Sequence, residues 1–372
     1  MVYGLLTISK RGCFMDLKTF LKTACEKKAS DIHFREGSPP AMRIDGKLVL
    51  AEEQPMAHED LMKMVSEILK VDEAHKDMFD KSREVDVGYT AEGIGRFRVN
   101  FCHQQGHLSV AMRRVMNADE LDFESLNLPP ILKQLSLDTR GFILITGITG
   151  SGKTTTLATM TCHINRNRAC HIVTIEDPIE IVHPQMKALV TQREVITDTD
   201  TYTSALRNVV RQDPDVILIG EMRDAESVGS ALKIAEAGHL ILSTLHTTNA
   251  PETINRIMSF FPLEQADEVR SMLAGTLKAI ISQRLVPRAS GNGRVPAVEI
   301  LINTARARDI IRSGEIDKIL QVIEEGTGYG MQTFDQSLMD LFKSEVITLE
   351  TALSYATSPN DLRLNLQKQG LI

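Results

Sequence analysis

The sequence predicts a two-domain α/β protein, in which a smaller α+β domain precedes a larger domain built on a mostly parallel sheet. The chain has 372 residues, which is long for one domain and typical of two. From about residue 131, apolar runs rich in β-branched residues alternate with helical patterns, as expected for a parallel sheet covered on both faces. These runs are FILIT (142–146), HIVTI (171–175), DVILIG (215–220), HLILSTL (239–245) and VPAVEIL (295–301).

The preceding residues mix helical and strand patterns, so we expect an α+β domain over residues 15–115. The predicted helices are MDLKTFLKTACEK (15–27) and DLMKMVSEILK (60–70); the predicted strands are the two halves of AMRIDGKLVL around a turn at Asp45-Gly46, and the pair RFRVNFCHQ (96–104) and LSVAMRRV (108–115). Residues 1–14 read as a tail or an upstream start before Met15. The acidic stretch 116–130 ends in two prolines and predicts a linker, so the larger domain is 131–372, with a mostly helical part over 305–366.

Composition narrows the class of protein. The chain is 42% hydrophobic and 24% charged, as in ordinary soluble globular proteins, and its net charge of −7 argues against a dominant role in binding nucleic acid. No apolar run approaches the roughly 18 residues that a membrane span needs. The five cysteines form no CxxC pair and predict reduced, buried thiols in a cytosolic protein.

A glycine-rich motif lies directly after the first apolar run of the larger domain. Residues 147–154, GITGSGKT, fit the pattern G-x-x-x-x-G-K-[ST] between a predicted strand and a predicted helix, the context that a phosphate-binding loop requires. Eight matched positions with the right flanks disfavour the alternative of an ordinary glycine-rich turn. Lys153 would reach the β- and γ-phosphates of a nucleotide, and the Thr154 hydroxyl would hold Mg²⁺. The predicted nucleotide-binding residues are Gly147, Thr149, Gly150, Ser151, Gly152, Lys153, Thr154 and Thr155.

Hydrolysis also needs a carboxylate beside the metal ion or the attacking water, and two candidates end predicted strands. Glu176, followed by Asp177, ends HIVTI, and Glu221 follows DVILIG. In open parallel sheets ligands bind at the carboxyl ends of strands, so both should face the phosphate loop. The alternative is solvated strand-end acids. His246 and His239 follow and precede another strand, and a structural histidine is the alternative for each.

Four arginines are candidates for contact with the nucleotide. Arg98 and Arg113 lie on predicted strands of the first domain, while Arg207 and Arg211 are spaced to share one face of a predicted helix. An arginine beside a transferring phosphoryl group stabilises the transition state and can come from a neighbouring subunit. Surface salt bridges are the alternative for each of them, and the sequence leaves this open.

Together these motifs resemble the type II/IV secretion ATPases, and most closely the PilT/PilU group of type IV pilus retraction ATPases. The resemblance rests on GITGSGKTTTLA, VTIEDPIE, VRQDPDVILIGEMRD and AGHLILSTLHT, with support from ASDIHFREGSPPAMRIDGKL, GRFRVN, FPLEQADEVRSMLAGTLKAIISQRLVP and GMQTFDQSLMDLF. It covers nearly the whole chain from residue 15. It implies a RecA-like P-loop NTPase domain, a smaller PAS-like α+β N-terminal domain, and a hexameric ring that hydrolyses ATP with Mg²⁺.

The resemblance also implies roles for individual residues. Lys153 and Thr154 match the Walker A motif, Glu221 the Walker B glutamate and Mg²⁺ site, and Glu176 the catalytic glutamate, with Asp177 beside it. His239 and His246 match the histidine motif, and the four arginines match residues of nucleotide sensing or intersubunit contact. The implied partners are other copies of the chain, an inner-membrane pilus platform protein and a paralogous retraction ATPase. The implied location is the cytoplasmic face of the inner membrane, without insertion into lipid.

Departures from the family pattern leave alternatives open. The four-cysteine zinc module of many assembly and secretion relatives has no counterpart here, which disfavours an assembly or export ATPase. Residue 148 is Ile where the family usually has Pro or Ala. TARARDIIRSGE (304–315) keeps only the later half of the AIRNLIR-like segment of PilT proteins. The PilT and PilU readings, including an accessory ring subunit that depends on a paralogous motor, both remain; a DNA translocase is disfavoured by the acidic charge.

Overall fold

The computed structural model describes residues 16–44, 46–69, 77, 79 and 81–372. The predictions for residues 1–14, Met15, Asp45, Lys70 and Cys13 fall outside these residues. The chain divides into two compact units, a smaller one up to Met116 that includes Pro178–Val182, and a larger one formed by Asn117–Asp177 and His183–Ile372. Residues 117–130 of the predicted linker group with the larger unit, because Phe123 and Leu128 are buried in its core.

The smaller unit is an antiparallel sheet with two described helices packed on one face. The strand order is β3-β2-β1-β6-β5-β4. Alternate residues of β4, β5 and β6, such as Phe97, Val99 and Phe101 of β5, are buried in one apolar cluster with Phe20 and Leu61 of the helices, while most of the intervening residues are polar. Its elements are α1 (Leu17–Glu26), β1 (Asp31–Arg35), β2 (Ala41–Ile44), β3 (Lys47–Leu50), α2 (His58–Leu69), β4 (Val85–Ala91), β5 (Gly95–Gln104) and β6 (His107–Arg114).

The predicted helices and strand pairs of this unit are confirmed, whereas β1 and β4 were not predicted. β2 pairs antiparallel with β3, and β5 pairs antiparallel with β6, as expected. β1 is short and alternates polar with apolar residues (DIHFR), so its sequence alone resembles a polar connection.

The larger unit is a seven-stranded sheet in the order β11-β9-β12-β13-β8-β14-β15. Neighbouring strands are parallel except β14 and β15, which pair antiparallel. The strands are β8 (Gly141–Thr146), β9 (His171–Glu176), β11 (Leu189–Glu194), β12 (Val216–Ile219), β13 (Leu240–Leu245), β14 (Leu277–Pro287) and β15 (Arg294–Ile302). Two short strands lie outside this sheet, β7 (Met116–Asn117) and β10 (Ile181–Val182), and β10 belongs to the smaller unit.

All five predicted strands of the larger domain are confirmed, and β8 shows why they are apolar throughout. Phe142 and Leu144 belong to the cluster on one side of the sheet, and Ile143 and Ile145 to the cluster on the other. Every side chain of β8 is buried, and full burial of each Leu or Ile stabilises the fold by roughly 1.5–3 kcal/mol. This strand therefore holds the segment that follows it in a fixed position.

The helices cover both faces of this sheet and form the C-terminal part of the unit. They are α3 (Ile131–Ser136), α4 (Lys153–Asn167), α5 (Tyr202–Val209), α6 (Ala225–Glu236), α7 (Ala250–Ser259), α8 (Ala266–Thr276), α9 (Ala305–Ser313), α10 (Ile319–Glu325), α11 (Phe334–Lys343), α12 (Leu349–Tyr355) and α13 (Pro359–Lys368). The mostly helical region predicted over 305–366 is thus confirmed. Among the described residues, none of the helices has the length and apolar character to cross a membrane. The four described cysteines are free thiols, of which only Cys162 is fully buried.

Candidate nucleotide-binding and hydrolysis site

The predicted phosphate loop connects β8 to α4 at the carboxyl edge of the sheet. Gly152, the residue before α4, has φ 90°, and Gly147 has φ 147°, backbone conformations that favour glycine. A Cβ atom on Gly147 would lie 2.5 Å from the carbonyl oxygen of Gln283, so a side chain there would collide with β14. The loop can therefore wind closely enough for its backbone N–H groups to surround a phosphate.

Lys153 is the first residue of α4, and its side-chain ammonium group lies within the preceding loop. Its Nζ donates hydrogen bonds to the carbonyl oxygens of Gly147 (2.8 Å) and Ile148 (3.1 Å), and only 8% of the residue is exposed. Ser151 Oγ is buried and has no hydrogen-bond partner in the described part of the chain. A positive charge and an unsatisfied hydroxyl beside closely wound backbone amides fit a phosphate group. Thr154 is exposed at the second position of α4.

Gln283 of β14 fixes the loop to the sheet from the side. Its Nε2 donates to the carbonyl oxygen of Ser151 (2.8 Å), and its Oε1 accepts from the hydroxyl of Thr156 in α4 (2.8 Å). Both ends of this buried amide are thus satisfied, one by the loop and one by the helix that follows it. Gln283 belongs to no motif of the sequence, and its contacts with the loop were not predicted.

Glu221 follows β12 at the same edge and is held between the side chains of Arg223 and His246. Its Oε1 lies 3.2 Å from Nε2 of His246, and its Oε2 accepts from Nη2 of Arg223 at 2.8 Å. Partial burial favours a higher pKa for this carboxyl, but the hydrogen bond from Arg223 and the charges of His246, Arg223 and Lys153 outweigh it and lower the pKa. Glu221 is therefore ionised at neutral pH, as a ligand of Mg²⁺ must be.

Glu176 ends β9, the neighbour of β12, and two side chains donate hydrogen bonds to one of its carboxylate oxygens. Thr174 Oγ1 (2.7 Å) and Gln192 Nε2 (3.1 Å) both donate to its Oε1. The backbone N–H of Gly220 donates to the Ile175 carbonyl oxygen (2.8 Å), which aligns the ends of the two strands. The two carboxylates predicted at strand ends therefore lie at adjacent positions of one edge.

A chain of contacts joins three of the predicted residues of this edge, Lys153, His246 and Glu221. Nζ of Lys153 lies 3.5 Å from Nδ1 of His246, whose Nε2 contacts Glu221. The hydroxyl of Tyr202 has a pKa raised first by burial and then by the charges of Asp177 and Glu176, which places this side chain beside the same acidic groups. The arrangement can bind a phosphate chain at Lys153 and presents ionisable carboxylates next to it.

Comparison with known proteins identifies the family. Residues 11–327 match the model of the family described as type II/IV secretion system protein. The chain belongs to this family. It is 41% identical to the type IV pilus ATPase PilU of Pseudomonas aeruginosa over 95% of this chain and 92% of that protein. It is also 41% identical to the type IV pilus retraction ATPase PilT of the same organism, over 93% of this chain and 100% of that protein.

The fold of this chain also matches a solved structure of a related protein. The crystal structure of the pilus retraction motor PilT with bound ADP matches with a TM-score of 0.85 and 40% identity, over 94% of this chain and 100% of that one. The predicted fold class, a RecA-like ATPase domain with a smaller α+β N-terminal domain, is confirmed. This member of the type II/IV secretion family is an ATP hydrolase.

In this family member the four predicted arginines lie in two places. Arg207, near the end of α5, pairs with Glu226 of α6 (2.5 Å). Arg211 does not share an α-helical face with it, contrary to the prediction, because α5 ends at Val209 and a 3₁₀ helix covers Val210–Gln212. The tighter 3₁₀ turn changes the direction of side chains that follow.

Arg98 and Arg113 belong to the smaller unit, where they are direct cross-strand neighbours on β5 and β6. Arg98 pairs with Asp86 (3.3 Å) and Glu180 (3.8 Å), and Arg113 with Asp31 (2.8 Å). The surface ion pairs considered from the sequence are thus present, and a role toward nucleotide stays a prediction.

His239 lies at the amino-terminal end of β13, the opposite edge of the sheet from the phosphate loop. Its Nδ1 is 2.8 Å from the carbonyl oxygen of Pro214, and its own carbonyl oxygen accepts from Gly141. These hydrogen bonds hold the beginnings of neighbouring strands together. His239 is therefore explained by a structural role, the alternative that the sequence left open. His246, at the carboxyl end of the same strand, faces the site.

Several side chains that contact the predicted residues of this secretion-family site were not predicted from the sequence. Arg223 stands two residues after Glu221 and could have been noticed as a nearby cation. Gln192, Thr174, Gln283 and Tyr202 carry no motif of their own, and their contacts depend on which strands become neighbours.

Proposed function

We propose that this protein is the ATP-driven motor of type IV pilus retraction, and that it works as a homohexameric ring. The observation that carries the proposal is the match, over the full length of PilT, to the retraction motor crystallised with ADP. The continuous contacts from Lys153 through His246 to Glu221 at the phosphate loop support it, because they supply the groups that bind and cleave a nucleoside triphosphate.

The residues of the loop fit ATP with Mg²⁺. The unsatisfied Ser151 hydroxyl, the Lys153 ammonium and the glycine backbone favour the phosphates, while the Thr154 hydroxyl and the ionised Glu221 carboxylate are the oxygen ligands that Mg²⁺ prefers. When bound, the metal ion neutralises charge that develops on the phosphate oxygens. Lys153 then exchanges its bonds to loop carbonyls for bonds to phosphate.

Hydrolysis requires an oriented water, and we assign its orientation to Glu176. Its carboxylate ends the strand next to β12 and is held by hydrogen bonds to one oxygen. Glu221 and His246 hold the metal ion and the groups around the γ-phosphate in position. The family resemblance assigns Arg98, Arg113, Arg207 and Arg211 to sensing of the nucleotide, within one subunit or across subunits.

The ring would act on the pilus platform protein at the cytoplasmic face of the inner membrane, so that pilins return to the membrane as the ring turns over ATP. Attachment through a protein partner fits the lack of a helix of spanning length among the described residues.

Deletion of the gene and complementation with Lys153→Ala test the proposal. Cells without the protein, or with the variant, should keep surface pili and lose twitching or retraction force. Bald cells would indicate an assembly motor and contradict the proposal.

A second candidate is an accessory PilU-type ring subunit that depends on a paralogous motor. This candidate is kept because the chain has the same sequence identity, 41%, to PilU and to PilT. Deleting this gene alone, and together with the gene of the paralogue, discriminates the two candidates. If the protein is an accessory subunit, its deletion alone leaves retraction largely intact. A variant of it that cannot hydrolyse ATP then lowers retraction only when the activity of the paralogue is reduced.

A further inference from the structure

Side chains from two strands donate hydrogen bonds to the same carboxylate oxygen of Glu176. β9 and β11 run parallel, with Thr174 opposite Gln192 and Glu176 opposite Glu194. Because side chains alternate along a strand, Thr174, Glu176 and Gln192 lie on the same face of the sheet. The Thr174 hydroxyl and the Gln192 amide both donate to Glu176 Oε1, at 2.7 Å and 3.1 Å.

The orientation of the Gln192 amide is fixed independently of Glu176. The backbone N–H of His183 donates to Gln192 Oε1 at 2.8 Å. A backbone N–H only donates, so the amide oxygen has to face His183 and the NH₂ group has to face the carboxylate. Thr174 is fully buried, which leaves its hydroxyl few other directions.

We propose that Gln192 and Thr174 are positioning residues for Glu176 in ATP hydrolysis, an inference that rests on the proposed function. They act through the carboxylate: two donations to one oxygen set the plane of the carboxyl group and stabilise its ionised form. Water held by a carboxylate in a fixed plane is aligned for attack, and misplacement of such a group lowers the rate of the chemical step.

The first test is Gln192→Glu, with Gln185→Glu as the matched control. The variant keeps an oxygen for the His183 N–H but replaces the donor toward Glu176 by a like charge. The Gln185 amide is hydrogen-bonded to the backbone of Val190, donating at 2.7 Å and accepting at 2.9 Å, so the control makes the same chemical change near the same strand, away from Glu176. We expect kcat to fall roughly 10- to 100-fold in Gln192→Glu and to stay near the original value in the control.

The second test is Thr174→Val, which removes the hydroxyl at constant shape, with Thr174→Ser as the conservative variant. Valine should lower kcat and serine should restore it, because serine keeps the donor. In Thr174→Val and Gln192→Glu the acidic limb of the kcat profile should move to higher pH, since the ionised carboxylate has lost a donor. KM and the Kd for Mg-ADP should stay within about twofold, because neither side chain binds the nucleotide.

The outcomes separate this inference from the proposed function. Unchanged kcat in folded Thr174→Val, or an equal loss in Gln185→Glu and Gln192→Glu, overturns the inference. If Gln192→Glu fails to fold, the Thr174→Val and Thr174→Ser pair decides. Glu176→Gln is measured alongside: retained hydrolysis in it contradicts the role of Glu176 itself, whereas its inactivity beside fully active Gln192 and Thr174 variants overturns only the inference.

Discussion

At the scale of single residues, the site is defined by charges that already have partners. Lys153 is bonded to loop carbonyls, and Glu221 lies between His246 and Arg223. Mg-ATP has to exchange these contacts for its own. Their loss on binding means that the net affinity is smaller than the sum of new contacts suggests.

Lys153→Ala should lower ATP hydrolysis by more than roughly 100-fold and leave the fold intact, because this charge serves phosphate. Hydrolysis assays and circular dichroism measure both effects. Lys233→Ala, on the exposed face of α6, is the control and should keep full activity. Turnover at the original rate by Lys153→Ala would remove the phosphate-loop assignment.

Glu221→Gln should reduce kcat more than it reduces nucleotide affinity, since a neutral amide is a poorer Mg²⁺ ligand yet keeps the shape of the side chain. Steady-state kinetics with a separate ADP titration distinguish the two effects. Loss of ADP binding with a lowered melting temperature would instead indicate a structural role for the contact with Arg223.

The sequence predicted the motif residues of the site but not the side chains that support them. Lys153 and Glu221 stand in patterns whose spacing follows from the chemistry. Gln192 and Gln283 lie far from their partners along the chain, so their bonds follow from strand order, and the strands that carry them, β11 and β14, were not predicted. β11 is a polar edge strand, and β14 begins directly after α8 at Leu277 without a turn signal.

At the scale of elements, β14 organises the phosphate loop. Gln283 bonds the loop and α4, and the neighbouring Ser282 accepts from the hydroxyl of Thr146, the last residue of β8 (3.0 Å). The strand therefore fixes both the beginning of the loop and its end.

Gln283→Leu should weaken Mg-ADP binding about tenfold and lower stability by about 1–3 kcal/mol, because it leaves two buried polar groups without their partner. Calorimetric titration and thermal unfolding measure these. Gln332→Leu is the control, since Gln332 Nε2 donates to the Val298 carbonyl oxygen (2.8 Å) and does not contact the loop. Equal losses of stability with unchanged ADP affinity in Gln283→Leu would contradict a role in loop geometry.

Glu299 of β15 makes the larger unit sensitive to pH. Burial raises the pKa of its carboxyl from 4.5 to about 7, although the Ala250 N–H and the Arg284 charge oppose the shift. Folding therefore favours the protonated form: the contribution is fully present below pH 4.5 and is lost as the pH rises to about 7, on the order of 3 kcal/mol.

The melting temperature of Glu299→Gln should thus lose this part of its pH dependence, because the amide stays neutral and still accepts from Ala250. Melting curves between pH 4.5 and 8 measure it, with the exposed Glu350→Gln as control. A parallel pH dependence in Glu299→Gln and the original protein would show that another group is responsible.

At the scale of the whole molecule, the predicted nucleotide contacts are divided between two units. Arg98 and Arg113 belong to the smaller unit, while Lys153 and both carboxylates belong to the larger one. The resemblance to ring ATPases implies that such arginines can complete a neighbouring subunit's site.

Mixing subunits tests this implication. Rings assembled from Arg113→Ala and Lys153→Ala subunits should regain part of the lost activity if the arginine acts across subunits, because some interfaces then combine an intact loop with an intact arginine. Mixtures of Arg35→Ala with Lys153→Ala subunits are the control. No recovery at any ratio would favour action of Arg113 within one chain.

Three consecutive residues of β14 give the larger unit a mechanical property. Ser282 contacts Thr146 at the beginning of the phosphate loop, and Gln283 contacts Ser151 within it. The next residue, Arg284, donates to the carbonyl oxygen of Tyr355 in α12 (2.8 Å) and lies 3.8 Å from the ring centre of Phe334 in α11. Because β14 is hydrogen-bonded to β8 on one edge and to β15 on the other, these three adjacent residues belong to a stiff segment that contacts the phosphate loop as well as α11 and α12. We therefore expect a displacement of the phosphate loop to act on these C-terminal helices through one short stretch of backbone, which is the stiffness that a motor needs between its nucleotide site and the part that it moves.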